Sequence, residues 1–157
     1  MKLSDIVCFE AIVPQLAASD RNAAIEELIN ALAKKKKLGK ADPAALTAAL
    51  IKRETEASTG IGKGVAVPHI KHPDITKLAA AVGCSPGGID FSSLDKQPVY
   101  TVFLLLSPAS NPDKHLQAME TIFKNLQKDD FRRFLRQAQN AKDIIEAIKD
   151  ADGDSSE

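Results

Sequence analysis

From Val99 to Leu106 the chain carries no charged residue, and Val102 to Leu106 are apolar without a break. Such a run is far too short to cross a bilayer, which needs about twenty apolar residues in a helix. It fits instead a β-strand covered on both faces. A strand dry on both sides needs helices above and below it, and the flanking sequence supplies them. Ser19 or Asp20 can cap a helix whose apolar face is Ile25, Leu28, Ile29 and Leu32. Lys34 to Lys37 load its last turn with positive charge, which reads as a solvated helix end, and Gly39 can stop it. Asp42-Pro43 marks a second start, an N-cap followed by proline at the first helical position. After Pro108 and Pro112 a third helix begins near Asp113, with Leu116, Met119, Phe123 and Leu126 on one face. Two shorter helices follow over 131–137 and 142–149. Leu78 to Val82 reads as another strand, with turns at Pro86-Gly87-Gly88 and Ser92-Ser93. Helices that alternate with strands predict the α/β class, one sheet covered by helices. No linker or repeat breaks the pattern, so a single domain is expected over residues 1–150. The acidic tail, 151–157, is expected to fray.

Charge narrows the partners. In 157 residues, 21 basic side chains balance 21 acidic ones, which gives no electrostatic reason to expect nucleic acid or an anionic membrane. With no Trp and one Tyr, a stacking platform for single strands is not evident. Cys8 and Cys84 lie far apart and form no CxxC pair, so they read as small buried hydrophobes in a reduced setting. The N-terminus shows no basic region followed by an apolar stretch, so no signal peptide is expected and the default location is the cytoplasm.

The chemistry concentrates between Arg53 and His69. Leu46, Leu50 and Arg53 fall at i, i+4 and i+7 of the second helix, which puts an arginine on the apolar stripe. Two readings stand: a side chain waiting for a charged partner, or one that snorkels to water. The glycines that follow do not make a nucleotide loop. Counting back from Gly62-Lys63 puts Ala57 at the first glycine of a Walker A loop, and Gly64 replaces the hydroxyl that would hold magnesium. The dinucleotide fingerprint needs a strand first, and here a helix precedes. Gly60, Gly62 and Gly64 can instead keep the surface beside His69 free of side chains, so that a reactive group of another protein comes close. Thr59 can bond either this loop or a bound anion. His69 follows Pro68 at the end of a short apolar strand, and His115 begins the helix after the central strand. His72, three residues beyond His69, lacks a carboxylate or cysteine at supporting spacing, so no metal site is expected. Lys71 reads equally as an anchor for an acidic partner and as solvated surface.

The run Arg53-Glu54, Ser58-Thr59-Gly60-Ile61-Gly62 and Gly64-Val65-Ala66-Val67-Pro68-His69 resembles the enzyme IIA family of the bacterial phosphotransferase system, in its fructose/mannitol and nitrogen-related branch. Pro108 followed by His115-Leu116 resembles that family's second characteristic stretch, and the likeness spans nearly the whole chain in order. It implies a central mixed β-sheet flanked by helices on both sides. By the same resemblance His69 is the phosphorylated histidine, Arg53 the active-site arginine and His115 the second active-site histidine. The chemistry of those residue types agrees. A neutral imidazole is a competent nucleophile toward phosphorus. Phosphoryl transfer asks mainly for positioning and positive charge at the equatorial oxygens, which a planar guanidinium supplies. A fixed second donor at His115, to the phosphoryl group or to His69, stabilises developing charge.

The resemblance implies no cofactor. It implies a histidine phosphocarrier protein as donor, and either a sugar-transporter B domain (EIIB) or a regulated protein as receiver. One departure is Ile70, where many members have glycine after the active histidine; it is expected to alter the loop beside the site.

Overall fold

The computed structural model describes residues 1–155, with side chains through Gly153. Five helices cover a five-stranded mixed sheet: α1 (Arg21–Lys34), α2 (Pro43–Glu56), β1 (Gly60–Gly62), β2 (Val65–Ala66), β3 (His69–His72), β4 (Ala79–Ile89), β5 (Val99–Pro108), α3 (Pro112–Leu126), α4 (Asp129–Gln137) and α5 (Ala141–Ser155). The capping residues behave as their chemistry dictates. Asp20, not Ser19, accepts from Ala23 N at 2.8 Å, and Asp42 accepts from Ala45 N at 3.0 Å.

The apolar run Val99–Leu106 is the centre of the sheet. β4 pairs with β5 antiparallel on one side, while β2 and β3 pair with it parallel on the other. Val65 lies opposite Thr101, and His69 opposite Leu105, so one register runs through both short strands. They are a single strand interrupted at Val67-Pro68, where proline has no N–H to give. Alternate side chains then separate into two cores. Val65, Val67, Phe103 and Leu105 face α3, α4 and α5. Ala66, Ile70, Val102, Leu104 and Leu106 face α1 and α2.

Several expectations need correction. β4 does not stop before Pro86-Gly87-Gly88: it bulges between Cys84 and Ile89 and returns to pair Ile89 with Val99. Burial of Ile89 and Phe91 draws the chain back onto the sheet. On α3 the inward positions are His115, Ala118, Ile122 and Leu126, and Leu116 stands 59% exposed. The apolar stripe is therefore shifted by one residue, because a histidine takes an inward place.

α5 continues to Ser155, so 151–153 are not a frayed tail. Asp152 is buried there and its carboxylate accepts from Leu3 N at 2.7 Å and Ser4 N at 3.0 Å, which ties the N-terminal turn to the last helix. The remainder of the expected tail, 156–157, lies outside the described residues. Both cysteines are free, and burial pushes the Cys84 thiol up to about 11, as suits a packing residue.

Candidate functional site

Interrupting a strand at proline leaves a carbonyl to be accounted for. Pro68 O turns toward β5, where it accepts from Leu105 N at 2.9 Å. Val67 faces the opposite way, and its N–H donates to Thr59 O at 3.1 Å. The Val67 carbonyl lies just past the end of the β1 ladder, which closes at the Gly60–Ala66 pair. The His69 ring takes it, with Nδ1 2.7 Å from Val67 O. A carbonyl oxygen only accepts, so this Nδ1 carries the proton. The lone pair of the neutral ring then sits on Nε2.

His115 approaches from α3. The two rings are tilted by 41° with centroids 5.7 Å apart. His115 is buried, and its Nδ1 lies 2.7 Å from the hydroxyl of Ser107, the β5 residue two places beyond Leu105. When the hydroxyl donates to Nδ1, Nε2 carries the proton and is a hydrogen-bond donor. Burial first, then the charges of His69 and Lys71, hold its pKa below the ordinary 6.5, so the ring is neutral around pH 7. Its backbone N–H is used within the helix, bonding Asn111 O, and Asn111 Oδ1 caps Lys114 N at 3.2 Å. The His115 backbone N–H is therefore taken up by the helix, and what His115 can offer an anion is its side chain.

Arg53 and Glu54 exchange the places that the helical stripe predicts. The buried face of α2 is Leu46, Thr47, Leu50 and Glu54, while Arg53 is half-buried. Its Nη1 donates to Ala57 O at 3.0 Å, capping its own helix end, so in this structure the guanidinium is bonded to neither histidine. Glu54, whose i, i+4, i+8 spacing with Leu46 and Leu50 marks the same stripe, accepts from Thr59 N at 3.1 Å and from the Thr59 hydroxyl. Thr59 is thus a buried tie between α2 and the strand.

The glycines build a hairpin. Lys63 and Gly64 both have positive φ, 58° and 80°, the two-residue turn that suits the twist of paired strands. That turn lies at the end of the β1–β2 hairpin away from His69. Gly60 is needed for close approach, since a Cβ there would lie 2.2 Å from Ser93 Oγ. The reading of Gly60, Gly62 and Gly64 as a cleared surface therefore gives way to one of backbone geometry. Ile70 projects to the α1–α2 side of the sheet and packs in that core, across the sheet from the His115 layer, so it acts on the site only through the backbone. His72 Nδ1 accepts from Asp74 N at 3.1 Å, in the turn after β3. Lys71 is exposed, and its charge is felt at His115.

One half-buried imidazole with its Nδ1 held by a carbonyl, beside a second that is neutral around pH 7, is suited to carrying a phosphoryl group. Residues 7–151 match the family described as "Phosphoenolpyruvate-dependent sugar phosphotransferase system, EIIA 2", and the chain belongs to that family. A nitrogen regulatory protein of Bradyrhizobium diazoefficiens is 35% identical over 94% of this chain and 95% of its own. The fructose-specific EIIABC component of Bacillus subtilis is 32% identical over 97% of this chain, which spans 24% of that longer protein. The crystal structure of nitrogen regulatory protein IIA-Ntr from Neisseria meningitidis superposes with a TM-score of 0.84 at 23% identity, over 93% of this chain and 98% of that one, and so shares the fold. The sheet with helices on both faces, expected from the sequence, is the one observed. Among the described residues no helix is long and apolar enough to cross a membrane.

Proposed function

We propose that His69 accepts a phosphoryl group at Nε2 from the phosphohistidine of a histidine phosphocarrier protein, ultimately from phosphoenolpyruvate, and passes it on. The single observation that supports this is the Nδ1 bond to Val67 O, which leaves Nε2 as the nucleophile. Its lone pair forms the new N–P bond while the P–N bond to the donor's ring breaks, and that electron pair returns to the donor imidazole. The ring of His69 keeps its Nδ1 proton and gains positive character. The Val67 carbonyl then accepts a charge-assisted bond that strengthens as the reaction proceeds. His115 donates to a phosphoryl oxygen. Arg53 leaves the Ala57 carbonyl and offers its fork of donors to the equatorial oxygens. The unit that does this is one domain, working in the cytoplasm without a cofactor.

The receiver in this reading is a B domain of a sugar transporter, in line with the EIIABC relative. A second reading, a module whose partners change when His69 is phosphorylated, is favoured by the match to a nitrogen regulatory protein over 95% of its length. Both use the same site. The test is labelling from phosphoenolpyruvate through the general phosphotransferase proteins. One acid-labile, alkali-stable phosphate is expected on the wild type and none on His69→Ala. Label that survives in His69→Ala, or a folded wild type that never labels, overturns the proposal.

A further inference from the structure

Glu54 is 2% exposed, yet among the described residues no cation pairs with it. Burying a carboxylate is unfavourable unless hydrogen bonds compensate, and here both oxygens are met by a single residue, through the N–H and the hydroxyl of Thr59. Both hydrogen bonds to that carboxylate come from Thr59, and Thr59 leads on to His69. Thr59 O receives Val67 N at 3.1 Å, and Val67 O receives His69 Nδ1 at 2.7 Å. The path starts in the α1–α2 layer, rounds the edge of the sheet through the chain between α2 and β1, and ends on the ring that shares its environment with His115. Neither end of it is long in sequence, because the turn that follows α2 brings Thr59 back beside its own helix. Gly60, the next residue, lies so close to Ser93 that a side chain there would strike it.

We infer that Glu54 is a positioning residue for the phosphoryl acceptor. By clamping Thr59 it fixes the Val67 peptide, and through the Val67 carbonyl it selects the Nδ1–H tautomer of His69. This inference rests on the reading of His69 as acceptor. The tautomer matters because the two ring nitrogens compete for one proton. If Val67 O swings away, Nδ1–H loses its partner, the Nε2–H form gains population, and that fraction of molecules has no nucleophilic lone pair where the donor arrives. The role depends on hydrogen bonding at a fixed place, not on negative charge. A glutamine at 54 can still accept from Thr59 N with its oxygen while its amide donates to the Thr59 hydroxyl.

The test reads the tautomer directly, in unphosphorylated protein, from two-bond ¹H–¹⁵N correlations of the His69 ring, alongside the rate of phosphorylation. Wild type is expected to be Nδ1–H. In Glu54→Ala the ratio should shift toward Nε2–H by roughly fivefold, the worth of one hydrogen bond. Its phosphorylation should slow, by no more than that same factor of about five, because only the Nδ1–H fraction presents a lone pair at Nε2. Glu54→Gln should restore both to within about twofold. Should Glu54→Ala fail to fold, Thr59→Ala breaks the same link from its other side and should shift the ratio in the same direction. A folded Glu54→Ala, or failing that a folded Thr59→Ala, with the wild-type tautomer overturns the inference. So does a Glu54→Gln protein that reacts as slowly as Glu54→Ala with its tautomer intact, since charge would then be the cause. The two readings fail separately: absence of phosphate from His69 sinks the acceptor, while an unmoved tautomer sinks only the role of Glu54.

Discussion

The two ends of the site use the same side chain and hold it in different ways. At the start of β3 the His69 ring is half-buried and its Nδ1 is bound by a main-chain carbonyl, which can only accept. At the start of α3 the His115 ring is buried and its Nδ1 meets a serine hydroxyl, which can donate or accept. The first environment fixes a tautomer and leaves the lone pair of the neutral ring on Nε2. The second keeps a neutral ring whose proton can sit on either nitrogen, which suits the donor role proposed for it. Residue type alone does not separate the two histidines; the partner of Nδ1 does, and it is what supports the proposal of His69 as nucleophile.

The largest effect that would sharpen this contrast comes from the group neither ring touches. Arg53→Lys replaces a planar fork by a point charge, and phosphorylation of His69 should slow by roughly a hundredfold, the usual loss when one transition-state donor is removed. Rapid-quench labelling decides it, and unchanged kinetics would leave Arg53 as the cap of α2 and no more. A smaller loss is expected at His115. His115→Ala should still be labelled on His69, with onward transfer slower by roughly tenfold because one neutral hydrogen bond to the phosphoryl group is missing. Mass spectrometry under conditions that preserve phosphohistidine locates the phosphate. Finding it on His115 in the wild type would break the comparison outright.

How much of this was legible beforehand follows the physics of each part. The run Val99–Leu106 announces a doubly covered strand because burial on both faces leaves no room for alternation. Asp20 and Asp42 mark helix starts because capping is local. The string from Thr59 to His69 picks out the family because its residues occur together in order. What sequence could not order was anything set by tertiary reach. Arg53 and Glu54 are neighbours on one helix, and only the return of Thr59 to α2 decides which of them is buried. Leu116 looks like a core residue until His115 takes the inward place. Pro86-Gly87-Gly88 reads as a turn unless the burial of Ile89 and Phe91 beyond it is known. The glycines in sequence suggest cleared space, whereas their use lies in positive φ and in close contact with residues some thirty positions later.

The smallest effect tests whether the His115 environment is dry in solution. Its pKa lies below the ordinary 6.5, first through burial and then through the charges of His69 and Lys71. In the unfolded chain all three influences vanish and the ring takes up a proton near its ordinary value. Between that value and the depressed folded one, the unfolded state therefore binds more protons than the native state. Stability must rise with pH across that window. The contribution is fully present above 6.5 and is lost as pH falls toward and through the folded pKa. Melting temperatures of wild type measured from about pH 8 down to about pH 5 should include this loss, and His115→Gln, which cannot titrate, should show a shallower acid limb. The two curves should part only below 6.5, with wild type losing more as the pH falls, and by no more than the few degrees that a single-residue effect moves a domain of this size. Phosphorylation supplies a sign control on the same ring. A dianionic group on His69 Nε2 favours the protonated form of His115, so the His115 pKa, followed by NMR, should move up on phosphorylation. Parallel acid limbs for wild type and His115→Gln would show that burial of this ring costs its charged form nothing. The contrast between a half-buried His69 and a dry His115 would then have to be given up.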